Sequence, residues 1–146
     1  MKIKAICFIL FLMPLAAACE PAPPKIPGQI VLAAGDNDGH SPAWTKRHYY
    51  GLNTWGIRGS EKSEEGEIWF SSFPGPSGRY EVQLSGVFEN DGSPHIAVYA
   101  GEKALFTGRF PYPSGKKDCS ARGERGMLVL GTHNITHGEK IRVWGR

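Results

Sequence analysis

The chain has almost no helical signal. No window sustains an apolar i, i+3, i+4, i+7 pattern, and 19 glycines and 11 prolines interrupt the 146 residues every few positions. A helical domain is thereby excluded. Long apolar runs are missing beyond residue 15, and Ala5–Leu15 is shorter than the roughly 20 residues a membrane helix needs. Catalytic and cofactor signatures are also lacking: there is no Gly-x-Ser-x-Gly elbow, no His-Glu-x-x-His and no phosphate-cradling glycine loop. His133 and His137 are four apart, but Gly131, Asn134 and Gly138 deny them the helix that would aim both at a zinc ion. Glu64 and Glu65 lie in a Ser/Glu/Gly stretch where solvated charge is the ordinary explanation. Nothing here calls for an enzyme.

Cysteine is scarce, with Cys7, Cys19 and Cys119 the whole supply. The first of them sits in a targeting segment. Lys2 and Lys4 precede the apolar run, and Leu15-Ala16-Ala17-Ala18 supplies the small residues a signal peptidase requires, so residues 1–18 read as a signal peptide. Cys19 after three small residues resembles the lipobox of bacterial lipoproteins, whose cysteine is acylated and becomes the new N-terminus. Leu15 stands one position farther from the cysteine than the usual lipobox leucine, and ordinary cleavage after Ala18 is the alternative. In that case Cys19 and Cys119 are free to pair in an oxidising compartment. Residues 19–28 carry four prolines, which favour an extended tether. Glu20 after the cysteine is the residue that, by analogy with enterobacterial sorting, directs a lipoprotein to the outer membrane. The expectation is an outer-membrane lipoprotein held to the membrane through its lipid, or else a periplasmic or secreted protein.

Excess charge is lacking too. Loss of Lys2 and Lys4 with the acid-free leader takes the formal charge from +3 to +1. A near-neutral domain does not suit nucleic acid, which demands a clustered basic face. Lys116, Lys117, Arg122 and Arg125 are diluted by Asp118, Glu124 and glycines, as in a solvated loop.

What is present is alternation with a period of two. In Gly78–Phe88, Tyr80, Val82, Leu84 and Phe88 fall on one face and Glu81, Gln83 and Ser85 on the other. Asn90-Asp91-Gly92 turns the chain into His95–Ala100, and Gly101-Glu102-Lys103 turns it again into Ala104–Phe110. Gln29–Ala34, Gly66–Phe73, Gly126–Gly131 and Ile141–Trp144 complete about seven strands. Residues 29–146 are thus expected to form one all-β domain, an antiparallel β-sandwich or jelly roll. Gly35–Ser63 shows little alternation and reads as a long loop. Its Trp44, Tyr49, Tyr50 and Trp55, with Asn53 and the flanking Arg47 and Arg58, make a candidate ligand-binding cluster: aromatic faces stack on sugar rings, and amides and guanidinium groups bond hydroxyls. Trp69 is a possible further platform on the sheet surface, and Trp144 is expected in the core.

The order Gly-Arg-Tyr-Glu-Val-Gln-Leu (78–84), Glu89-Asn90-Asp91-Gly92 and Ile96–Lys103, closed by Leu130–Trp144, is similar to non-catalytic carbohydrate-binding modules of the galactose-binding-like jelly-roll type, including families 6 and 35. That resemblance implies a sugar ligand and no catalysis. Such modules often hold a structural calcium with acids of the first strand, which Ile30–Ala34 lacks. Asp36-Asn37-Asp38-Gly39 opens like a calcium loop, but Arg47 stands where the closing acid belongs. Calcium across Asp36, Asp38, Glu89, Asn90 and Asp91 remains an option beside a plain Asx-rich turn. The alternative to a sugar is an envelope protein partner, for which the same aromatics would be interface anchors.

Overall fold

The computed structural model describes residues 4–8, 28–49, 52–57, 65–88, 92–112 and 124–146, with the backbone alone for 4–8, 47–49, 52–53, 57 and 124. The chain forms an all-β sandwich. Its strands are β1 (Lys4–Phe8), β2 (Ile30–Val31), β3 (Gly39–His40), β4 (Trp44–Tyr49), β5 (Leu52–Ile57), β6 (Gly66–Phe70), β7 (Gly78–Phe88), β8 (His95–Ala100), β9 (Lys103–Arg109), β10 (Glu124–Ile135) and β11 (Ile141–Gly145). A single 3-10 turn at Ala34–Asp36 is the helical element among the described residues. One sheet runs in the order β10-β7-β1-β2, the second β3-β6-β11-β8-β9, and β4 and β5 make a separate ribbon.

Alternation explains the core. Along β7, Tyr80, Val82 and Leu84 are buried, and along β6 and β11 so are Ile68, Phe70, Ile141 and Val143. Ile96, Val98 and Ala100 on β8 and Leu105 on β9 close the inner face of the five-stranded sheet. Phe73 and Tyr80, both fully buried, meet edge to face with ring centroids 5.1 Å apart. The Tyr80 hydroxyl donates to the Pro76 carbonyl at 2.5 Å, so the one polar atom that this ring carries inward is satisfied by the turn that precedes its own strand.

Three features depart from the sequence reading. The long-loop expectation for 35–63 gives way to the β4–β5 hairpin, paired from Trp44↔Ile57 to Tyr49↔Leu52. The last long strand does not stop at Gly131. A bulge between Val129 and Gly131 carries β10 on to Ile135, with Gly131 at φ 98°. Before the bulge Leu128 and Leu130 face the core; after it Ile135 does, while Met127 and Val129 are 51 % and 56 % exposed.

The third departure concerns the leader. Lys4–Phe8 is a strand between β7 and β2, parallel to both, in a sandwich whose remaining pairings are antiparallel. Its register sets Ile6 beside Val82 and Ile30, and Cys7 beside Gln83 and Val31.

Burial pushes the Tyr80 hydroxyl pKa above its ordinary 10.0 through desolvation of the phenolate. The folded state therefore favours the neutral ring. Its contribution is full below the unfolded pKa and is lost as pH rises above it, because the unfolded chain then releases the proton more readily. Urea midpoints are expected to fall above pH 10 by more in the wild type than in Tyr80→Phe. At neutral pH the variant loses about 1 kcal/mol, the Pro76 carbonyl having no partner. Gly131→Ala is expected to cost about 1–2 kcal/mol by the same assay. The added methyl meets only ordinary contact with His133, so the cost is that of a left-handed backbone in an L-residue.

Candidate ligand-binding surfaces

The β4–β5 ribbon carries the cluster anticipated from sequence. Its register places Trp44, Lys46 and Trp55 on one face of the ribbon. A two-stranded ribbon is stable only when it buries one face, and this one buries its tryptophans. Trp44 is 8 % exposed and belongs to the hydrophobic core, so it offers no face to a ligand. Trp55 is half-buried against that core. The His40 ring sits 4.5 Å from it, tilted by 54°, and the Lys46 ammonium lies 5.7 Å from its centre. Both indole N–H groups are buried and have no acceptor among the described residues. The side chains of Tyr49, Asn53 and Arg47, and Tyr50 and Arg58 altogether, lie outside the described residues. Of the six expected ligand-binding residues the structure thus brings two together, one in the core and one at its margin.

A second aromatic surface lies on the outer face of the five-stranded sheet. Since Ile141 and Val143 point inward, Arg142 and Trp144 point out, and Trp144 is half-buried on the surface, not in the core as the sequence suggested. Register aligns Gly39, Trp69, Arg142, Tyr99 and Ala104 in one row across all five strands, with Glu67, Trp144, Ala97 and Thr107 in the next. The Trp69 indole lies over Gly39, where any Cβ would collide with its ring, so glycine is what lets the ring lie flat on the sheet. The Lys140 ammonium stands 4.8 Å from the Trp69 ring centre.

Arg142 organises the row. Its guanidinium stacks 4.8 Å from the Tyr99 ring centre and donates to the Gly101 carbonyl at 3.0 Å. It also pairs at 3.5 Å with Glu67 on one side and with the exposed Glu102 on the other. A planar group with five donors and an aromatic partner can hold such a set at once; a lysine could not. The two ion pairs are long and partly solvated, so they fix orientation more than they add stability.

Chemically, the surface offers flat aromatic area, fixed donors and fixed acceptors. That equips it to hold a ligand. Among the described residues no group of three or more His, Cys, Asp or Glu is placed to hold a metal ion. The Asp38 carboxylate accepts from the Ser71 N–H at 2.5 Å, which ties the strand before the ribbon to the sheet. Glu89, Asn90 and Asp91, the other half of the calcium option, lie outside the described residues, as do Cys19 and Cys119. Trp69, Tyr99, Arg142 and Trp144 as a set were within reach of the sequence: the inward parity of Ile68, Val98, Ile141 and Val143 forces their neighbours outward on adjacent strands. Strand order, which the sequence does not disclose, is what makes them a row.

Among the described residues no helix is long and apolar enough to cross a membrane. No family model, no curated protein and no solved structure matches the chain.

Proposed function

We propose that the mature chain is an exported, lipid-anchored, non-catalytic binding protein whose ligand is a carbohydrate, held on the outer face of the five-stranded sheet. The observation that carries this reading is the row Trp69–Arg142–Tyr99 with Trp144 beside it. A pyranose presents an apolar face that stacks on an aromatic ring and a rim of hydroxyls that need donors and acceptors. The row supplies both within one sheet face. Its cations Lys140 and Arg142 are matched by Glu67 and Glu102, so the balance of charge favours a neutral sugar.

Each ring already carries a cation, and the two differ in how firmly. Lys140 is exposed and its ammonium rests on the Trp69 face, so a sugar displaces it at a cost of about 0.5–1 kcal/mol. Arg142 is held by three other partners and stays. Trp69 is therefore the stacking platform, and Arg142 with Glu67 bonds the hydroxyls. The signal segment, the Cys19 motif and the proline-rich 19–28 support the lipid tether and a location in the cell envelope.

Glycan-array and affinity-gel measurements on the mature protein test this. Trp69→Ala is expected to weaken binding about tenfold, with the Tyr80-centred core and the thermal midpoint little changed. Lys140→Ala leaves binding equal or tighter. Binding that survives Trp69→Ala but is lost in Trp55→Ala would move the site to the ribbon, and no glycan binding at all would remove the carbohydrate reading. A second reading, an envelope protein as partner, draws on a different observation, the strand position between β7 and β2.

A further inference from the structure

The segment that the sequence marks for removal fills an interior position of a sheet. β1 pairs with β7 over five successive residues, Lys4↔Tyr80 to Phe8↔Leu84, and with β2 on its other side. If export removes residues 1–18, the mature sheet loses a strand from its middle, and the β7 edge beside it loses its hydrogen-bond partners. We infer that in the exported protein this edge, Tyr80 to Leu84, is the docking site for one extended peptide segment of a partner protein, added as a strand parallel to β7 with apolar residues at alternate positions. This rests on the signal-peptide reading given above.

The leader itself defines what fits. Neighbours across a ladder share a face, so a residue opposite Val82 or Leu84, which are 0 % and 5 % exposed, faces the core, and the leader presents isoleucine and phenylalanine at those registers. The residue between them lies opposite Gln83, on the outer face. There the row runs from Val129 through Gln83 to Val31, and both valines are exposed, at 56 % and 44 %. An occupant of Cys7's place is flanked by apolar surface even on the solvent side, which favours a small or apolar residue there. The recognition pattern is apolar–small–apolar in extended form. Main-chain bonds to β7 supply affinity and the two inward positions supply specificity, the logic of strand addition.

β2 is poorly placed to close the gap itself. Ile30 is wedged over Gly75, where a Cβ would collide with it, and the following Leu32 and Ala34 are buried in the core ahead of the 3-10 turn. Two strands flanking a missing one stand about 10 Å apart, twice the ladder spacing. Sliding β2 across would pull Leu32 and Ala34 from their sites.

The test uses the mature chain, with Cys19→Ser to keep it soluble, and a synthetic peptide carrying residues 2–10 with serine at position 7. Expected are saturable binding, a rise of several degrees in thermal midpoint and new hydrogen-exchange protection confined to the slot-facing amides of Tyr80–Leu84. A peptide with Ile6→Asp and Phe8→Asp should bind at least tenfold more weakly. Three results would overturn the proposal: no binding; equal binding of the aspartate peptide; or slot-facing β7 amides already as protected without peptide as those facing β10, which would mean β2 had moved in. The N-terminal mass of the exported protein is read separately. Retention of residues 1–18 would sink the signal reading and the docking site together, whereas cleavage without peptide binding would sink the docking site alone.

Discussion

Buried backbone N–H and C=O groups must be paired, and in this protein that requirement bears most heavily on β7. Among its eleven residues Tyr80, Val82 and Leu84 are buried in the core, so its peptide groups lie beside the core along half its length. One edge is satisfied from end to end by β10. The other is satisfied by Lys4–Phe8, residues whose composition belongs to a targeting signal. The separation of β7 from β2 follows from how that second edge is met, because the strand that meets it lies between them.

The opposite sheet is arranged on different terms. Its inner face is plain aliphatic packing, and its outer face is where aromatic and charged side chains gather. Arg142 is the pivot there, because one guanidinium bonds the Gly101 carbonyl, pairs with two carboxylates and stacks on Tyr99. The two sheets thus differ in kind: one has a backbone edge of β7 filled by Lys4–Phe8, the other a side-chain surface with the chemistry of stacking and hydroxyl bonding.

Much of this fold is legible in the sequence, wherever one face of a strand is apolar and the other polar. β7, β8 and β11 satisfy that condition, and their bounds agree with the alternation to within a residue. The β4–β5 hairpin does not. Trp44, Lys46 and Trp55 share a face, on which Trp44 is buried in the core while Lys46, opposite Trp55, is exposed with its ammonium over that ring. Mixed faces conceal a period of two. The same ribbon explains the fate of the expected ligand cluster: Trp44 closes the sandwich, and aromatic density in the sequence cannot tell a plug from a platform. Trp144 errs the other way. A tryptophan in a terminal strand suggests the core, but the parity set by Ile141 and Val143 turns it outward. Nothing in the apolar leader alternates, so composition alone could not assign it to a sheet.

The bulge in β10 resets which of its residues face the core. A regular strand gives the core one side chain for every two residues, a limit set by the pleat. At the bulge, Val129 pairs with Gln83 and Gly131 pairs with Val82, leaving Leu130 as a supernumerary residue that the ladder does not count. Its side chain is nevertheless inside the sandwich. The strand therefore delivers Leu128, Leu130 and Ile135 to the core while keeping both halves of its ladder in register with β7. The left-handed Gly131 shifts the strand's parity by one: beyond it the odd-numbered residues lie opposite Val82, Tyr80 and Gly78, which brings Ile135 into the core and leaves Thr132 and Asn134 exposed.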